Sequence, residues 1–217
     1  METVLQTSRI FRDIPSEVLQ KEIIHHGQMK SYVKGGYLIE PQEKVEQFGV
    51  ILTGRVQIMH IFADGSYSLM SVLEPGEILG ADLICTRSRI APYHAVAELQ
   101  TQVLFFPAAL LEPGVLAEPM RLVLQSRFLT MIADENMKKE YRLAILSQKG
   151  LRARILTFLT MQAAKRKTNT FSISFSREEL ASFLCVNRSA LSHELSLMEQ
   201  EGLISFHKNE FTLNRTE

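Results

Sequence analysis

The sequence predicts an α+β protein in which a jelly roll (a double-stranded β-helix) is followed by one long helix and a winged helix-turn-helix. Three observations support this order. Short apolar runs alternate with turn residues in the first half, a helical heptad pattern comes next, and two capped helices with a small hairpin end the chain. The predicted segments are therefore 1–115, 116–146 and 147–217.

The composition is that of an ordinary globular protein. The 217 residues are 46% apolar and 22% charged, and 24 basic residues balance 24 acidic ones. The part from Gly150 onward is only weakly basic. The two cysteines, Cys85 and Cys185, lie far apart and predict no disulfide framework. The first residues have no apolar signal core, and no apolar run is long enough for a membrane helix, so we expect a cytoplasmic protein.

The segment from about Tyr32 to Pro107 has the pattern of a small β-barrel or jelly roll. Its apolar runs are short and are separated by glycine- or proline-containing turns. The stretch FGVILTGRVQIMHIF predicts two strands joined at Thr53-Gly54, and Asp64-Gly65 predicts a hairpin between two further runs. The preceding residues, 8–30, predict short helices.

Residues 116–146 have the periodicity of one long helix. Between Pro119 and residue 146 the sequence contains neither Gly nor Pro. A helix of this length would span roughly 45 Å. One row, spaced by seven residues, contains Leu122, Leu129, Asn136 and Leu143. A second, weaker row contains Gln125, Ile132, Lys139 and Leu146. These rows predict a coiled-coil seam between two copies of the chain, and the alternative is a core helix packed only on the barrel. The predicted interface residues are Leu122, Leu129, Ile132, Asn136 and Leu143.

The strongest pattern lies in FSREELASFLCVNRSALSHELSLMEQEGLI. Ser176 and Glu179 have the spacing of a capping box for a short helix, and Asn187 is placed to cap a second helix after a tight turn. The apolar face of that second helix contains Leu191, Leu195 and Met198. This arrangement, followed by a small hairpin, is typical of a winged helix-turn-helix.

The opposite face of the second helix is polar and nearly free of acids. It contains Arg188, Ser189, Ser192, His193 and Ser196. Such a face near a helix N-terminus suits the major groove of DNA, where Arg188 can fork onto a guanine edge. Arg177 is placed for a backbone phosphate. The predicted DNA-binding residues are Arg177, Asn187, Arg188, Ser189, Ser192, His193 and Lys208. The alternative is an ordinary helical hairpin with a solvated face.

The order of a glycine-punctuated β-roll, a long helix and a winged helix-turn-helix resembles the CRP/FNR family of bacterial transcription regulators. PGEILGADLI is similar to the family's cassette segment, and VNRSALSHELSLMEQEGLI is similar to its recognition helix. The resemblance covers nearly the whole chain. It implies a homodimer that binds an inverted repeat in double-stranded DNA, a roll that senses a small-molecule effector, and no enzymatic activity. A contact with RNA polymerase is left open.

The cassette departs from that of the family's cyclic AMP-binding members. The resemblance places their ribose-binding glutamate at Ala81 and their phosphate-binding arginine near Ala91-Pro92, with Arg89 out of register. A buried phosphate without a cation would be very costly, so we do not expect cyclic AMP. No cysteine precedes Cys85, so the ligand count excludes an iron–sulfur cluster. The histidine spacing also does not supply the metal site of a cupin-type β-roll, so no metal is predicted.

An unknown organic effector, or none, remains. The resemblance places an effector between the roll and the long helix. The residues expected to line it are Gly76, Glu77, Gly80, Ala81, Tyr93, His94 and Asn136. An Asn in a helical seam has an alternative role, because it also fixes register and dimeric state. Family members often have Glu and Arg where this chain has Ser189 and His193, so we expect a different preferred DNA sequence.

Overall fold

The computed structural model of the chain describes residues 1–214. Its contacts divide the chain into two compact units, Met1–Asn136 and Met137–Glu217. The division falls inside the long helix, so each unit contains a part of that helix. The segment boundaries expected at 115 and 146 stay a prediction. None of the described helices is both long enough and apolar enough to cross a bilayer.

Short helical segments precede the first strand. They are Glu2–Thr7 (α1), Ser16–Val18 (α2), the π-helical turn Leu19–Ile23 and the 3-10 turn Ile24–His26. The prediction of helices over 8–30 is wrong at both ends, because helix begins at Glu2 and ends at His26. Strand begins at Gln28 since this residue pairs with Phe105, a distant partner that local patterning cannot reveal.

Eight strands of the first unit form two four-stranded sheets, which confirms the predicted roll. They are Gln28–Tyr32 (β1), Tyr37–Ile39 (β2), Gln47–Thr53 (β3), Val56–Ile61 (β4), Tyr67–Leu73 (β5), Ile78–Leu79 (β6), His94–Ala97 (β7) and Thr101–Pro107 (β8). One sheet has the order β1-β8-β3-β6 and the other β2-β7-β4-β5. All their pairings are antiparallel.

The turn at Thr53-Gly54 passes the chain from one sheet to the other. The two predicted strands form on either side of it, but β3 and β4 belong to different sheets and are not a hairpin. Gly54 has φ +86°, and a Cβ there would lie 2.5 Å from the Gln100 backbone oxygen. Only glycine fits this crossing. The hairpin predicted at Asp64-Gly65 is confirmed by the pairing of β4 with β5.

An aromatic cluster packs the long helix and the segment around Phe11 against strands β3 and β8 of one sheet. The Phe48 ring lies 5.5 Å from that of Phe106 and 4.9 Å from that of Phe128, while Phe11 and Phe106 are 5.2 Å apart. These side chains are almost completely buried, which is worth about 1.5–3 kcal/mol for each of them. Phe128 comes from the long helix, so that helix closes the core of the roll.

The long helix is confirmed as Glu118–Leu146 (α4). Pro119 lies in its first turn, where a missing backbone N–H costs nothing. Leu124, Phe128 and Met131 are buried in the core of the first unit. The helix is therefore a core helix on one face, as the alternative interpretation expected.

The other face of α4 carries the predicted seam. Leu122, Leu129 and Leu143 are 52%, 71% and 63% exposed, and Asn136 is also exposed. Ile132 differs, because it is half-buried and lines a cleft of its own unit. The assignment of all five to a homodimer interface stays a prediction, and the exposed row leaves room for a partner.

The second unit is the predicted winged helix-turn-helix. Its elements after α4 are Leu151–Arg166 (α5), Thr170–Ser172 (β9), Arg177–Phe183 (α6), Arg188–Gln200 (α7), Ile204–His207 (β10) and Glu210–Leu213 (β11). The strands form one sheet in the order β10-β11-β9. Strand β9 ends at Ser172, which pairs with Glu210, the first residue of β11.

Candidate nucleic-acid interface

The first helix of the pair, α6, begins with the predicted capping box. The Ser176 hydroxyl accepts from the Glu179 backbone N–H over 3.2 Å, and the Glu179 carboxylate accepts from the Ser176 N–H over 2.7 Å. Two of the N–H groups that a helix start leaves without partners are thereby satisfied.

The turn between the helices is held by two arginines that the sequence reasoning missed. Arg142 Nη2 donates to the Phe183 backbone oxygen and Arg154 Nη1 donates to that of Leu184, both over 3.3 Å. These oxygens belong to the C-terminal end of α6, where a helix has orphan carbonyls and attracts cations. Burial lowers the pKa of Arg142, which is only 7% exposed. No local pattern signals either contact, since both depend on tertiary packing.

The second helix, α7, has the two faces that the sequence predicts. The Asn187 side-chain oxygen caps it by accepting from the Ala190 N–H over 2.7 Å, and it also accepts from the Ser189 hydroxyl over 2.9 Å. Leu191, Leu195 and Met198 are completely buried. The exposed outer face contains Arg188, Ser189, Ser192, His193 and Ser196. Because Asn187 uses its oxygen in the cap, only its amide nitrogen is left to reach DNA.

The acids of α7 and of its C-cap are turned to partners within the unit. Glu194 and Glu201 accept hydrogen bonds from Arg152, and Glu199 accepts from the Phe206 backbone N–H over 3.2 Å. From Arg188 to Ser196 the outer face consequently carries a cation and small hydroxyls, and the one acid of this stretch, Glu194, is turned to Arg152. Such a surface is compatible with a polyanion.

The hairpin of β10 and β11 forms the wing, and Arg177 anchors it. The Arg177 guanidinium donates to the Lys208 backbone oxygen over 3.0 Å and lies 5.0 Å from the centre of the Phe206 ring. Its burial, together with the nearby charge of Arg188, lowers the pKa of Arg177. Arg177 thus has a structural partner, and its phosphate contact stays a prediction. His207 is exposed beside Lys208 at the hairpin tip.

Four of the seven residues predicted to line an effector site, Gly76, Glu77, Gly80 and Ala81, lie directly on either side of β6. Gly76 (φ +89°) lies against Thr7, and Gly80 (φ +77°) precedes the short helix Ala81–Ile84 (α3). Glu77 accepts from the Glu74 backbone N–H over 2.8 Å. These contacts belong to the turns themselves, and the effector role of the four residues stays a prediction.

The other three residues predicted to line an effector site are Tyr93, His94 and Asn136. Tyr93 is buried and donates to Asp82 over 2.9 Å, and burial raises the pKa of its phenol. Within residues 1–214, the buried Nδ1 of His94 has no hydrogen-bond partner, and the His94 ring lies 5.8 Å from that of Tyr37. Asn136 is exposed on α4. Their role toward an effector stays a prediction.

A cleft of about 360 Å³ does lie between the roll and α4, where the resemblance places an effector. It is lined by Ile84, Cys85, Arg89, Ala108, Leu111, Glu112, Gln125, Phe128, Leu129 and Ile132. None of the seven predicted residues is among them. Two of these lining residues, Arg89 and Glu112, form an ion pair with 3.7 Å between Nη2 and Oε1.

The positions assigned to a cyclic nucleotide do not fit one. Ala81 and Ala91 are 6% and 0% exposed and carry no charge. Within residues 1–214, no group of three or more His, Cys, Asp or Glu side chains has an arrangement that could hold a metal ion.

Comparison with family models covers both units. Residues 29–114 match the cyclic nucleotide-binding domain, and residues 153–217 match the Crp-like helix-turn-helix domain. The chain belongs to the CRP/FNR family of transcription regulators. Its CRP/FNR architecture is thus the one that the cassette and recognition-helix segments indicated.

CRP/FNR proteins of known sequence or structure are similar to this chain. The transcriptional activator protein FnrL of Cereibacter sphaeroides is 23% identical over 81% of this chain and 72% of its own length. The structure of FixK2 from Bradyrhizobium japonicum has a TM-score of 0.65 at 21% identity, covering 87% of this chain and 93% of its own. A CooA mutant from Carboxydothermus hydrogenoformans has a TM-score of 0.71 at 19% identity, covering 92% and 90%. These structures share the fold.

Proposed function

We propose that this protein is a homodimeric, cytoplasmic regulator that binds an inverted repeat in duplex DNA with two copies of α7. The observation that supports it best is the outer face of α7. Arg188 is the first residue of the helix and is exposed, while the leucines behind it are buried. A guanidinium at this position can donate two hydrogen bonds to a guanine, and the N–H groups of the helix start attract a phosphate.

The exposed row on α4 supports the homodimer. Leu129 is 71% exposed and Leu122 is 52% exposed on a helix whose opposite face is already buried. Removing such side chains from water favours association, and a second copy supplies an identical row. A twofold dimer places two recognition helices in successive major grooves, about 34 Å apart, so its binding site is an inverted repeat.

Control by a small effector is the second part of the proposal, and the cleft beside α4 favours it. A molecule in this cleft would touch Phe128 and Leu129, and Leu129 belongs to the exposed row. A ligand that prefers one arrangement of the paired helices shifts the population toward that arrangement. No enzymatic step is part of the proposal.

The experiment begins with selection of bound sequences from randomised DNA by the full chain. We expect an inverted repeat, and Arg188→Ala should weaken binding to it by roughly 1–3 kcal/mol. Lys165→Ala, which removes a charge from α5 instead, is the matched control. A selection that yields no preferred sequence, or an Arg188→Ala variant with the parent's affinity, contradicts the proposal. Repeating the binding assay with cell metabolite extract tests effector control.

A further inference from the structure

Arg152 binds two carboxylates of the recognition helix α7 and its C-cap. Arg152 is the second residue of α5, and its Nε donates to Glu194 over 2.6 Å. Its two terminal nitrogens donate to the two carboxylate oxygens of Glu201, over 2.6 and 2.8 Å. All three guanidinium nitrogens are thus used by carboxylates of α7 and its C-cap. Bidentate, charge-assisted bonds of this length are among the strongest in proteins.

Arg152 does not stabilise α5 itself at this position. The start of a helix is the positive end of its dipole, so a cation in the first turn is unfavourable there. The two carboxylates offset this cost, and their hydrogen bonds raise the pKa of Arg152. The arginine therefore serves the contact between α5 and α7.

The two carboxylates that bind Arg152 lie far enough apart to fix the orientation of the α7 axis. Glu194 and Glu201 are seven residues apart, so they lie on one side of α7 about 10 Å from each other along its axis. Ser192 is two residues from Glu194, which places it about 200° around the helix. Arg152 therefore binds the side of α7 opposite to Ser192, which belongs to the face proposed to meet DNA. Hydrogen bonds to two residues of α7 and its C-cap restrict both translation and tilting of the helix.

We propose that Arg152 is a positioning residue for DNA recognition, which sets the angle of α7 without touching DNA. The inference rests on the proposed function of α7. Hydrogen bonds to base edges are lost when the donor turns by a few tens of degrees, whereas attraction to phosphates tolerates such a change. Loss of Arg152 should accordingly reduce sequence-specific binding and leave non-specific binding nearly unchanged.

The test measures the Kd of the full chain for two short duplexes by fluorescence anisotropy. One duplex carries the sequence selected from randomised DNA, and the other is a scrambled sequence of the same composition. Arg152→Met should weaken binding to the selected duplex about tenfold and change the Kd for the scrambled duplex by less than about twofold. Arg152→Lys should recover part of the loss, because an ammonium holds one carboxylate but cannot fork onto two.

Lys165→Met is the matched control, since it removes the same charge from the same helix at a position that faces solvent. It should keep the parent's ratio of the two Kd values. Circular dichroism at the assay temperature establishes which variants are folded. If Arg152→Met does not fold, the double variant Glu194→Gln/Glu201→Gln replaces it and should show the same selective loss.

A folded Arg152→Met or double variant with the parent's Kd ratio overturns the inference, as does an equal loss in Lys165→Met. A parent chain that does not distinguish the two duplexes overturns the proposed function itself, and the positioning role with it. The two failures are therefore distinguishable in one set of measurements.

Discussion

Arg142, near the end of the long helix, lies with its guanidinium 4.8 Å from the centre of the Phe183 ring and donates to the backbone oxygen of the same residue. The long helix and the first helix of the helix-turn-helix are thereby joined at one buried cation. Because α4 also closes the core of the roll through Phe128, it is a part of both folded units.

Arg142→Leu should destabilise the second unit by about 1.5–3 kcal/mol. The substitution keeps apolar bulk against Phe183 but leaves the Phe183 carbonyl at the end of α6 without its charged donor. Urea unfolding followed by circular dichroism measures the change. Lys149→Leu, at an exposed position outside the helices, is the control and should stay within about 0.5 kcal/mol of the parent. Equal stabilities for the two variants would show that the contact is not stabilising.

Asn187→Ala should cost about 1 kcal/mol of stability, since the Ala190 N–H loses its cap. Asn187→Ser should keep most of the parent's stability, because serine is also a good N-cap. The same unfolding measurement applies, with Ser196→Ala as the control in the middle of α7. Parent-like stability of Asn187→Ala would contradict the capping role that the structure assigns.

Leu129→Lys should convert the homodimer to a monomer. A charge in the middle of an apolar row must be desolvated when two copies pair, and it faces its own symmetry mate. Sedimentation velocity measures the oligomeric state. Val33→Lys, which alters an equally exposed side chain on the roll (74%), should remain dimeric. The seam assignment is wrong if Leu129→Lys sediments as the parent does.

Gly54→Ala should destabilise the first unit by about 3 kcal/mol or more. The substitution adds a Cβ that collides with Gln100 and Thr101 in addition to a strained left-handed backbone. Gly65→Ala is a matched comparison, because its φ of +80° is similar but no atom of the described residues lies within 4 Å of the new Cβ. It should lose only about 1–2 kcal/mol, the cost of the backbone conformation alone. Similar losses at both sites would remove the argument for a crowded crossing at Gly54.

The sequence predicted best what depends on neighbouring residues. The capping box at Ser176, the cap at Asn187 and the buried stripe from Leu191 to Met198 are all readable because helix caps and helical periodicity act over a few residues. The hairpin at Asp64-Gly65 is local in the same sense. For this reason the two faces of α7 were predictable before the structure.

The sequence predicted least what depends on tertiary contacts. The strands around Gly54 were predicted, but their division between two sheets was not, because pairing partners such as Phe105 lie far along the chain. The roles of Arg142 and Arg152 rest on side chains that meet only after folding. The expected effector residues followed a family resemblance, whereas the cleft beside α4 is formed by other side chains.

Hydroxyl-radical footprinting of the full chain on its selected duplex tests the central claim most directly. We predict two protected patches related by twofold symmetry, with centres about 34 Å apart, and clearly weaker protection of both in Arg188→Ala at a protein concentration equal to the Kd of the parent. A single patch without twofold symmetry, or an unchanged footprint in Arg188→Ala, would contradict the account.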